Sequence, residues 1–175
     1  MIARRQLLAQ LLPLSLALPT LAGCGWEPLY ADPHTGSANA DLRAINVLPI
    51  PERPGQMLED GLRQSFNPDG ISTTTRYNLS VTLSTVLQDM GIQSQGLGTR
   101  GEVQGICTYR LIDVATKKVL QTSSIHASDS FDIQANGYST VVAQNDARVR
   151  VVEEIRREMV ARLTMFMQNK EPAPS

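Results

Sequence analysis

The chain has 175 residues, 16 basic against 17 acidic side chains for a net charge of −1, and only two histidines and two cysteines. That length suits one core-forming domain with some chain to spare, and the near-balanced charge, with no basic run, gives no electrostatic reason to expect nucleic acid as a partner. With so few histidines and cysteines, none beside a sequence partner that suggests a dyad or a ligand set, neither a metal site nor a catalytic thiol is expected.

The chain starts with a short basic stretch, Arg4 and Arg5, followed by an apolar run over residues 7–21 that Pro13 and Pro19 interrupt. About fifteen residues fall short of the roughly 20 needed to cross a bilayer core, so a signal peptide over residues 1–23 is expected rather than a span. Its end, Leu21-Ala22-Gly23-Cys24, resembles the bacterial lipobox. That resemblance implies a diacylglycerol on the Cys24 thiol, cleavage before it, and acylation of the new amine. Gly25 follows, where an aspartate retains enterobacterial lipoproteins at the inner membrane, so delivery to the outer membrane is implied. Arg4-Arg5-Gln6-Leu7-Leu8 also resembles a twin-arginine signal. A general secretory signal can carry the same pair, which leaves the route open.

Removing 23 of 175 residues leaves 152, and losing Arg4 and Arg5 takes the net charge from −1 to −3. If Cys24 is acylated, Cys107 has no partner for an internal disulfide. It alternates with Val103, Tyr109 and Leu111, which makes it a small buried hydrophobe. Residues 24–41 read as a lipidated N-terminus and tether, ending in the polar, turn-rich "ADPHTGSANAD". Near the acyl chains, Trp26, Leu29 and Tyr30 suit either the membrane interface or packing against a sheet edge.

One domain over residues 42–169 follows. Residues 42–50 alternate as a first strand, which Pro51 and Pro54 stop. Met57, Leu58, Leu62 and Phe66 have helical spacing, and "NPDG" ends that helix. From Tyr77 the period becomes two, with Leu79, Val81 and Leu83 on one side and Ser80, Thr82 and Ser84 on the other. Residues 91–101 read as a hairpin loop. Their Gly96-x-Gly98-x-x-Gly101 imitates a dinucleotide fingerprint, but a strand-like pattern follows instead of a helix. Strands over about 102–113 and 119–131 come next, and a long helix over 138–168 carries Val149, Val152, Ile155, Met159, Leu163 and Phe166. Met159, Met165 and Met167 belong with that stripe as core rather than as a soft-metal site. Residues 170–175 form a tail.

The order β-α-β-β-β-α, with one apolar stripe per helix and one apolar face per strand, predicts an α+β two-layer sandwich: a four-stranded, mainly antiparallel sheet with two helices on one face. No carboxylate pair, Ser/His/Asp set or cofactor motif points to an enzyme or a cofactor.

Cys24-Gly25-Trp26-x-Pro28-Leu29-Tyr30 is similar to the Cys-Gly-Phe-x-Pro-Leu-Tyr start of the lipopolysaccharide-assembly lipoproteins of the LptE family, particularly the alphaproteobacterial type, with Trp26 in place of Phe. The element order and the Arg/Glu-rich last helix agree with that family in pattern. The resemblance implies an outer-membrane, periplasm-facing lipoprotein that sits in the lumen of the LptD barrel, helps assemble it, and helps deliver lipopolysaccharide to the cell surface. Two sets of residues are then candidates. Arg100, Lys117 and Lys118 fall in hairpin loops, where they can meet lipid A phosphates. Ser80, Thr82 and Ser84, with Thr122, Ser124, His126 and Ser128, form two rows of small polar side chains suited to a polar barrel wall. Two rivals stand beside this: an auxiliary lipoprotein of another envelope transport system or of a peptidoglycan synthase, and a lipid-anchored hydrolase, against which the residue inventory argues and which turnover lost on substituting His126 would revive.

Overall fold

The computed structural model describes residues 37–71, 73–92 and 98–170, all within the compact unit His34–Ser175. The expected leader, Cys24, Trp26 to Tyr30 and residues 171–175 lie outside the described residues. The elements run α1 (Ser37–Arg43), β1 (Ile45–Val47), α2 (Glu52–Phe66), β2 (Tyr77–Ile92), β3 (Gly98–Asp113), β4 (Val119–Asp132) and α3 (Gly137–Asn169). The four strands lie side by side in chain order, with β1 parallel to β2 and the other pairs antiparallel. Helices cover one face of this sheet, giving the expected α+β sandwich, with three helices among the described residues rather than the two expected.

The extra helix corrects the N-terminal boundary. Ser37–Arg43 is helical where a tether running into a strand was expected, and β1 is only three residues long. Seven residues are too few to show a helical period. Tertiary contacts hold α1 instead: Leu42 is buried, Asp41 pairs with Arg76 at 2.8 Å, and Arg43 pairs with Asp69 at 3.1 Å.

Strand alternation sends Tyr77, Leu79 and Val81 of β2, Val103, Cys107, Tyr109 and Leu111 of β3, and Ile125 and Phe131 of β4 into the core. There they meet Leu58, Leu62 and Phe66 of α2 and Ala147, Val151, Val152, Ile155, Met159, Leu163 and Met167 of α3. Each fully buried Leu, Ile or Met contributes about 1.5–3 kcal/mol. Two of the expected methionines, Met159 and Met167, are thus core, whereas Met165 is half exposed.

The stripe on α3 also needs correcting. Val149 is 46% exposed and lines a groove of about 630 Å³ with Arg53, Met57 and Arg148, while Ala147 and Val151 take the core positions. Helix and sheet approach closely at Gly105, where an added Cβ would lie 2.6 Å from Val151 Cγ1 and 2.9 Å from Ile155 Cδ1. A bare glycine in mid-strand therefore sets the depth at which α3 sits.

The hairpin reading of the glycine-rich stretch holds in outline, but the strands reach farther than expected, with Ile92 paired to Gly98. Gly98 and Gly101 lie inside β3, and the Phe131 ring covers Gly101, so an added Cβ there would lie 2.3 Å from Phe131 Cζ. Neither glycine opens a helix, and the geometry that a dinucleotide site requires is missing at both.

Candidate functional site: the open face of the sheet

The residues of β2 to β4 that alternate away from the helices form the open face. Cross-strand register orders them in rows: Ser80, Arg110, Thr122; then Thr82, Thr108, Ser124; then Ser84, Ile106, His126; then Val86, Gln104, Ser128. All six residues expected at a partner interface, Ser80, Thr82, Ser84, Thr122, Ser124 and His126, fall within the first three rows. β2 and β4 are separated by one strand, so the two predicted rows flank a third, on β3, that the sequence reading did not name. Its signal was present, because inward Cys107 and Tyr109 require outward Ile106 and Thr108. At the centre of the face Ile106 is 43% exposed between Ser84 and His126, and Val86 is also exposed.

Short polar groups hold one another in place here. Thr108 Oγ1 lies 3.5 Å from Ser124 Oγ, which donates to the Cys107 carbonyl at 3.3 Å. His126 Nε2 is 3.5 Å from the same hydroxyl. The Ser124 proton is thus directed at a backbone carbonyl. Charge sits toward the ends of the four rows. Arg110 lies in the first, and beyond the last Glu102 is held below the ordinary carboxylate range by hydrogen bonds from Ser128 and Gln104. Between them lies a surface of hydroxyls, one imidazole and exposed aliphatic carbons. Such a surface can lie close to an opposing polar wall without stripping water from buried ions, whose desolvation is the dearest part of polar burial.

The candidate cations are not brought together. Arg100 pairs with Met90 at the far end of the β2–β3 hairpin, while Lys117 and Lys118 follow Asp113 in the turn before β4. Thirteen strand residues, about 40 Å, separate the two groups along β3. Asp113 Oδ1 accepts from Thr116 N at 2.7 Å and Thr116 Oγ1 at 3.0 Å, which orders that turn, and Lys117 takes φ 59° within it. The same bonds hold the Asp113 carboxyl below its usual range. Two cations missed by the sequence reading share this end. Lys170 donates to Tyr77 Oη at 2.7 Å, Arg76 donates to it at 3.2 Å, and the Arg76 carbonyl accepts from Val114 N beside the turn. Contacts between residues 93 apart leave no local pattern to find.

Cys107 is fully buried, and burial pushes its thiol up to about 12. It is a protonated core side chain at neutral pH, as its alternation implied. Among the described residues no group of three His, Cys, Asp or Glu side chains is placed to hold a metal ion, and no helix is long and apolar enough to cross a membrane.

A mixed four-stranded sheet with helices on one face and a hydroxyl-rich open face defines the architecture. Solved structures of other bacterial proteins share the fold, two of them as follows. A presumed lipoprotein from Caulobacter crescentus CB15 matches with a TM-score of 0.63 at 19% identity, over 79% of this chain and all of the other. A minor lipoprotein from Acinetobacter baumannii matches with a TM-score of 0.57 at 14% identity, over 70% of this chain and 92% of the other. An uncharacterized protein of Rickettsia prowazekii (strain Madrid E) is 22% identical over 150 residues, 86% of this chain and 92% of its own length. No protein-family model matches the chain. At these identities the likeness establishes a shared fold.

Proposed function

We propose that this chain is an outer-membrane lipoprotein, anchored through Cys24, that plugs an LptD-type barrel, assists its assembly and helps deliver lipopolysaccharide to the cell surface. The observation that carries the reading is the open sheet face. Three strands present Thr82, Thr108, Ser124 and their neighbours as a broad surface with charge only toward its ends. A face meant for water more often carries Lys and Glu, which keep proteins apart. Small hydroxyls suit the polar lumen of an outer-membrane barrel. The lipobox-like Leu21-Ala22-Gly23-Cys24 and a fold shared with two bacterial lipoproteins support the envelope part of the reading. Two acyl signals would give stable anchoring where one chain is marginal.

In this reading the chain is a plug and a chaperone rather than a catalyst. Its cationic end, with Lys117 and Lys118 joined by Arg76 and Lys170, is the better meeting point for lipid A phosphates, and Arg100 acts apart from it. Affinity purification of the intact acylated chain, followed by identification of what accompanies it, tests the reading. An outer-membrane barrel is the expected companion. Recovery with an inner-membrane transport complex or a peptidoglycan synthase instead would replace it with the auxiliary-lipoprotein reading.

A further inference from the structure

β4 is the last strand of the sheet, and beyond β3 it pairs with no other strand among the described residues. Along its 14 residues, VLQTSSIHASDSFD, no lysine, arginine or proline appears, and no acid before Asp129. Those are the residues that commonly blunt an exposed edge. A register shift at Leu111/Ile112 disturbs only the start of the strand, so pairing is regular from Gln121 onward.

The outward backbone groups can be identified. Asp113 N donates to Lys118 O at 2.9 Å and Val114 N to Arg76 O at 2.9 Å, so odd-numbered residues of β3 turn their backbone groups toward β4 and even-numbered ones turn away. Ser124 lies opposite Thr108, in a pair that exchanges no ladder bond, and its O accepts from Arg162 Nη1 at 3.0 Å. Ladder groups point alternately toward and away from a neighbour in an antiparallel pair. The N–H and C=O groups of Thr122, Ser124, His126 and Ser128 therefore face outward, and their side chains lie on the open face. An incoming strand finds a continuous set of donors and acceptors, with one arginine across the middle. Arg162 is itself held by Glu158 at 3.0 Å through Nε, so it can remain on α3 when Ser124 O takes another donor.

Charge selects the occupant. Lys117 and Lys118 stand just before β4. At its other end Asp129, Asp132 and Glu102 outnumber Arg100 and Arg150, of which Arg150 already pairs with Asp129. The edge is positive at its start and negative at its finish, and a second copy laid antiparallel brings unlike ends together twice. We propose that β4 pairs with β4 of a second copy of this chain, antiparallel and centred near Ile125, joining two four-stranded sheets into one of eight. Thr122 then faces Ser128 of the second copy, Ser124 faces its His126, and Lys118 lies beside its Asp132. This concerns the chain free of any barrel and is independent of the function proposed above.

The test is sedimentation of the full chain in detergent, without a barrel, through the micromolar range. The parent should associate reversibly to a dimer. Lys118→Asp and Asp132→Lys should each weaken that dimer at least about tenfold, because each places like charges at both ends. An equimolar mixture of the two should restore the parent's association, since each copy then meets the opposite charge at both ends. His126→Pro should abolish the dimer in parent and mixture alike, because an outward N–H can be lost without breaking the β3 ladder. A monomeric parent, an undiminished dimer in either charge variant, or a mixture that fails to recover overturns the proposal. So does a folded His126→Pro chain that still dimerises. Should His126→Pro fail to fold, the charge exchange alone decides.

Discussion

Leu79 and Ser80 are neighbours in β2, yet Leu79 is sealed beneath the helices while Ser80 stands on the open face. The same division runs through Tyr109 and Thr108 in β3, and through Ile125 and Ser124 in β4. On the covered side, large side chains interlock with Ile155, Met159 and Leu163, and shape fixes where α3 lies. On the open side the residues are small, and their hydrogen bonds to one another add little to stability, each net bond giving about 1 kcal/mol. One face secures the fold and leaves the other free to serve a partner. Positions one residue apart should therefore report different properties.

The largest expected effect lies on the covered face. Ile155→Ala removes a fully buried side chain from the middle of α3, and should lower stability by about 2–5 kcal/mol in denaturant unfolding. Thr108→Ala, on the open face of the strand beneath it, should change stability by less than about 0.5 kcal/mol. Equal losses at the two positions would break the comparison. Gly105→Val comes next. Its new atoms would press on Val151 and Ile155, so α3 must lift, at a cost of about 1–3 kcal/mol. If the variant melts with the parent, close approach of the helix does not depend on this glycine.

The mildest effect concerns Cys107. Its thiol is raised from 9.0 to about 12 by burial, so the unfolded chain loses this proton before the folded one. The contribution to stability is therefore intact below pH 9 and declines as pH rises from 9 toward 12. At neutral pH a maleimide should leave Cys107 unmodified in the folded chain and label it once denaturant is added, as peptide mass spectrometry can follow. Prompt labelling of the folded chain would mean that the covered face opens readily.

Much of this division was readable in the sequence because it is written at period two. Tyr77, Leu79 and Val81 against Ser80, Thr82 and Ser84 announce a half-buried strand, and Cys107 takes its place by the same alternation. The long helix was equally plain from its apolar steps, though the phase of its first half was not. Val149 fits the stripe by spacing, but α3 turns Ala147 and Val151 to the core there and leaves Val149 beside the α2 groove. α1 was hidden because its seven residues are too few to show a period, and the contacts that hold it, the buried Leu42 and the salt bridges to Asp69 and Arg76 beyond α2, are tertiary. The candidate site was legible as two rows and lacked its middle, since strand order, not spacing, places β3 between β2 and β4. The length of β3, with its two turns at opposite ends, separates Arg100 from Lys117 and Lys118, which hairpin position alone had grouped.

The central claim is that the open face is the partner surface, and Thr82→Glu together with Ser124→Glu tests it most directly. Both residues flank Thr108 in one row, both are exposed, and neither contributes to the core. The pair should leave the melting temperature within a few degrees of the parent, while placing unpaired charge in a buried contact at a cost of several kcal/mol. The measurement is barrel recovered per mole of tagged chain. The account predicts that recovery falls to background while the fold is intact. A doubly substituted chain that melts like the parent and retains full barrel occupancy would contradict it and move the interface off this face.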